Sequence, residues 1–119
     1  MPETKIEIAG INADAALELL EGDEDIFIAL LESFTENTPE MLDSLRNVTE
    51  GNLPEYAVNV HGLKGICAGI GAMEASAKAK KFELLAKAGD YSGVAAGNAG
   101  FLDSVEKLIS DIKKWQSSN

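Results

Sequence analysis

Apolar residues recur along this chain at helical spacing and almost nowhere alternate with polar ones, so the chain must hide them by packing helix on helix. Ile26, Leu30 and Phe34 stand four residues apart, with Phe27 and Leu31 beside them, and Met41, Leu42, Leu45 and Val48 resume the spacing. Thr38-Pro39 lies between the two sets, and a proline suits either a kink or a first helical turn. The pattern predicts one kinked helix over about 23–49, capped by Asp23 and with acids in its first turn. After a turn at 50–52, Pro54 opens a helix over 53–69, which "GIG" at 69–71 breaks. A lysine- and alanine-rich helix over 72–88 closes on Gly89. Asp90 caps a last helix to about 116, with Phe101, Leu102, Val105, Leu108, Ile109 and Ile112 on its inner face and Gly93, Gly97 and Gly100 weakening its start. Upstream, residues 1–11 read as an extended segment, and Asn12 caps a short helix that Gly22 ends. Short connections between long amphipathic helices predict an all-α fold: an antiparallel up-down four-helix bundle with a short N-terminal helix, one domain over 1–119.

Composition narrows the function. The chain has 119 residues, enough for a core. It contains no apolar run long enough to cross a membrane, and no secretory leader is expected. A single cysteine, Cys67, excludes a disulfide framework, so the expected setting is reducing and cytoplasmic. The net charge of −10 opposes binding to a nucleic acid backbone. The charge is uneven: residues 1–60 hold 14 acids and 2 bases, whereas residues 61–88 hold 5 lysines and 2 glutamates. The only histidine, His61, opens that basic stretch.

On a helical wheel Tyr56, Leu63, Ile66, Cys67 and Ile70 fall opposite His61 and form the core stripe. Pro54, Ala57, Lys64, Gly65 and Ala68 share the histidine's own face. A lone histidine is more often an ordinary surface or core residue than a reactive one, and the wheel removes the core alternative. Gly65 is one turn on, where a side chain would crowd the imidazole, and Lys64 brings a cation into the same space. Exposure, clearance and a cation are what a ring nitrogen needs to carry a phosphoryl group. Other chemistries fit less well. A di-metal bundle needs Glu-x-x-His, and residue 58 is valine, so no metal site is expected. Cys67 and His61 point to different faces. Gly69-x-Gly71 is followed by Glu74 where a dinucleotide fingerprint needs glycine, and there is no phosphate-binding loop, so a phosphoryl group must come from another protein.

At His61, Leu63, Lys64, Gly65 and the "IGA" of 70–72 the chain resembles the histidine phosphotransfer domain family of phosphorelays, and "GDEDIFIALLESF", "TPEMLDSLR" and "KKFELLAKAGD" fall where such domains carry helices. The resemblance implies that His61 is the phospho-acceptor through its outward nitrogen, that Lys64 helps hold the phosphoryl oxygens, and that Gly65 provides clearance. It makes Glu83 a candidate for orienting the ring, with Lys80, Ala57 and Ala68 as further candidates for orientation or docking. Gly62 and Ile66 depart from the family's usual small polar or alanine-like residues, and Ile66 lacks a hydroxyl that could bond a phosphate. The implied function is that of a phosphorelay intermediate, not an enzyme, which takes a phosphoryl group from a receiver-domain aspartate and passes it to another receiver. The implied partners are response-regulator receiver domains and a hybrid sensor histidine kinase. No cofactor is expected on this chain, and magnesium is expected on the receiver. Two alternatives stay open: the phospho-accepting domain of a chemotaxis-type kinase, and a helical interaction module without relay activity.

Overall fold

Asp23 accepts the Ile26 N–H (3.1 Å) through its side chain and starts α2 (Glu24–Arg46), a continuous helix that carries Pro39 within it. In a computed structural model, which describes residues 6–118, every regular element is a helix. The others are α1 (Ala13–Leu19), α3 (Leu53–Gly69), α4 (Met73–Lys87) and α5 (Tyr91–Ser118). Asn12 caps α1 by accepting the Ala15 N–H at 3.0 Å, and Asp90 accepts the Gly93 N–H at 2.9 Å at the start of α5. The expected boundaries at 49 and 116 move to Arg46 and Ser118, so α2 ends sooner and α5 runs on. Part of the expected extended segment, residues 1–5, lies outside the described residues; Ile6 and Ile8 are buried in the core.

The long helices pack in a closed cycle, α2 on α3, α3 on α4, α4 on α5 and α5 on α2, with α1 against α2. Phe27, Leu31, Phe34, Leu42 and Leu45 of α2 meet Val60, Leu63 and Cys67 of α3 and the inner face of α5 in one core. Burial pushes the Cys67 thiol up to about 12, so it stays a protonated, apolar filler. Two polar side chains inside this core bridge three helices. The Tyr56 hydroxyl donates to Asn98 Oδ1 (2.7 Å), and Asn98 Nδ2 donates to the Leu45 carbonyl (3.0 Å). Leu45 lies in the last turn of α2, where carbonyls run out of intrahelical partners.

The glycine at the α3–α4 break is required by geometry. Gly71 has φ +80°, and its N–H and that of Ala72 turn back onto Ala68 (3.1 Å) and Cys67 (2.8 Å), closing α3 in a Schellman motif. A side chain there would collide with the Asn12 backbone, whose N–H donates to the Gly71 carbonyl at 2.8 Å. The break thus also anchors the N-terminal helix. Gly97 answers to a different constraint: a methyl group there would lie 2.9 Å from the edge of the Phe82 ring, which stacks on Phe101 at 4.9 Å. That glycine lets α5 approach α4 closely.

Candidate functional site

The outward face of α3 is poor in charge: Glu55, His61 and Lys64 are its only charged or titratable side chains. His61 stands on it with 62% of its side chain exposed, at the divide between two grooves. One, of about 580 Å³, runs between α2 and α3, with Leu30, Met41 and Ile66 among its apolar walls and Ser33, Asn37 and Thr38 as polar groups. The other, of about 450 Å³, runs between α3 and α4 past Pro54, Ala57, Val58, Glu83, Ala86 and Lys87.

Glu83 reaches the ring from α4. Its side chain is 3% exposed, and Oε2 lies 2.7 Å from His61 Nδ1. The same oxygen takes an ion pair from Lys87 Nζ at 2.8 Å, while Oε1 accepts from Lys64 Nζ at 2.9 Å. The hydrogen bond from Lys87, then that from Lys64, with a smaller share from His61, holds the Glu83 carboxyl down at about 2 against the upward pull of its burial. The carboxylate is therefore ionised and can only accept. It follows that Nδ1 carries the proton of a neutral His61 ring, and the lone pair sits on Nε2. The charge on Glu83 chooses the tautomer.

The structure brings His61, Lys64 and Glu83 together and puts the remaining candidates elsewhere. Gly65 borders the α2–α3 groove, and a methyl group built on it would meet nothing within 4 Å, as would one on Gly62 or Gly69. The ring itself would thus not be crowded by an alanine at 65; what the glycine keeps open is the space outside the chain. Ala57, expected on an open face, is 6% exposed, because α3 presses it toward α4, and only its edge borders the second groove. Ala68 is half-buried, and neither it nor the exposed Lys80 lines either groove. Ile66, expected in the core, is 40% exposed and walls the α2–α3 groove, since only part of the wheel's apolar arc is covered by neighbours.

Two contributors escaped the sequence reading. Lys87 is four residues after Glu83, a spacing that favours a Glu–Lys pair on one helix and was its available signal. Ser76 Oγ donates to the Lys64 carbonyl at 3.0 Å, tying α4 to the backbone of the site, and nothing in the local sequence marks it. Among the described residues no three metal-ligating side chains cluster, and no helix is long and apolar enough to cross a membrane.

Compared with known protein families, residues 29–115 match the family model for the Hpt domain. No curated protein and no solved structure matches the chain significantly.

Proposed function

The chain belongs to the Hpt domain family, whose members carry out phosphotransfer in two-component signalling, and from that premise we propose that it is a phosphorelay intermediate with His61 as its phospho-acceptor. The observation that carries this reading is the 2.7 Å contact of Nδ1 with Glu83, which leaves Nε2 as the nucleophile on an exposed ring. In the step we propose, the Nε2 lone pair attacks the phosphorus of a receiver's aspartyl phosphate. The N–P bond forms, the P–O bond to the aspartate breaks, and the carboxylate leaves. Nδ1 keeps its proton, and Glu83 faces the positive charge that the substituted ring acquires. Lys64 has three ammonium hydrogens and gives one to Glu83, so two remain for phosphoryl oxygens. The metal that promotes such a transfer is assigned to the receiver.

Gly65, with open space where its side chain would be, admits the visiting surface. The partner is a receiver domain, which brings an acidic pocket. The exposed lysines of α4, at 78, 80, 81 and 87, give it a complementary field on an otherwise acidic protein. The closed cycle of contacts and the short connections support reading α2–α5 as an antiparallel up-down bundle that presents α3 outward.

The test is transfer of label from a phosphorylated receiver. The wild type should become labelled with an acid-labile phosphoryl group and His61→Gln should not; labelling of both would end the proposal. Labelling by an isolated kinase catalytic domain with ATP, and not by any receiver, would favour the chemotaxis-type alternative instead.

A further inference from the structure

A carboxylate against Nδ1 orients an imidazole, but its negative charge also favours the doubly protonated ring, which has no lone pair to offer. Two cations are built onto Glu83 at the point where this conflict arises. Lys64 holds Oε1, and Lys87 holds Oε2, the oxygen that also meets Nδ1. Because the two contacts share one oxygen, the Lys87 ammonium lies within about 5.5 Å of Nδ1.

We infer that Lys87 is a positioning residue for the transfer: it pins Glu83 Oε2 and offsets its charge, so that Glu83 orients the ring without drawing a second proton onto it. The inference rests on the reading of His61 as phospho-acceptor. Among the residues that line the two grooves, no other charged group competes for the role. The α2 wall of the adjoining groove brings uncharged Ser33, Asn37 and Thr38, and α5 contributes no residue to either groove. Lys64 is the one other charged partner of Glu83 among the described residues, and it is shared with the phosphoryl group in the proposed step. Lys87 is left as the constant counter-charge. Its side chain is 61% exposed and fills no core space, so replacing it leaves the fold intact.

The experiment has two independent readouts on the full chain. In the first, the His61 ring is titrated by NMR in wild type, Lys87→Gln and Lys87→Arg. Removal of a like charge at this distance, in a largely solvated setting, should raise the midpoint of ring protonation by about 0.5–1 pH unit, and arginine should restore it. In the second, the rate of His61 phosphorylation by phosphoramidate is followed against pH. There the N–P bond to the ring forms as the donor's P–N bond breaks and ammonia leaves. The acid limb of the Lys87→Gln profile should move up by the same interval, with the rates converging at the alkaline end. A lysine that merely braces α4 would lower the melting temperature and leave both curves in place; that outcome, or a downward shift, overturns the inference. Failure of the wild type to accept any label would overturn the phosphotransfer reading instead, and the ring titration would still judge Lys87.

Discussion

Replacing Asn98 by alanine tests whether one amide fastens three helices around the site. Asn98 is 6% exposed; its Oδ1 accepts from Tyr56 of α3, five residues before His61, and its Nδ2 donates to Leu45 of α2. The substitution strands a buried hydroxyl and a helix-terminal carbonyl, at roughly 1–3 kcal/mol each, so the expected loss is about 2–6 kcal/mol. With about 2.1 cal/mol/K of unfolding entropy per residue over 119 residues, the melting temperature should fall by about 8–24 °C. Tyr56→Phe strands only one acceptor and should lose about 1–2 kcal/mol. The double variant should be less destabilised than the sum of the two by about 1–2 kcal/mol, because the shared bond is lost once. Urea unfolding monitored by far-UV circular dichroism gives all three values. Strict additivity, or a loss below about 0.5 kcal/mol for Asn98→Ala, would refute the claim that this network fastens the helices.

Two more predictions concern the site itself. Gly65→Ala places a methyl group in open space within a helix, so it should leave stability unchanged or raise it by up to about 1 kcal/mol, whereas Gly65→Leu should stay folded yet slow transfer from a receiver by about tenfold or more; chemical denaturation beside a transfer assay checks the pair. Glu83 sits in the fold at about 2 against an ordinary 4.5, so its ion pairs stabilise the protein above pH 4.5 and that contribution fades as the pH falls toward 2. The gap in urea midpoint between wild type and Glu83→Gln should therefore be widest near neutrality and close through that acid window, and a gap independent of pH would count against the ionised, three-partner carboxylate.

Much of the architecture was legible because it follows from local rules. Asp23, Asn12 and Asp90 cap helices with their own side chains, and Gly71 and Gly89 close them with the positive φ that glycine tolerates. Such signals act over three or four residues, so a linear reading captures them. The wheel likewise separated His61 from Leu63 and Cys67, since 3.6 residues per turn sets angle from position. It failed at Ile66 and Ala57 for one reason: a wheel gives direction around a helix and says nothing of where the neighbours lie. The gap between α2 and α3 exposes Ile66, and close approach of α4 covers Ala57.

The chain's order of residues determined by itself that this protein is helical, where its helices begin and end to within a few residues, and that its single histidine stands away from the core. Only the packing of α4 on α3 decided which nitrogen of that histidine is free. The pairing of Nδ1 with Glu83, the bond of Lys64 to the same carboxylate, and the groove on either side each join residues distant in sequence. Their chemistry depends on separations of about 3 Å, and hydrogen bonds and ion pairs of that length arise only once the helices have docked.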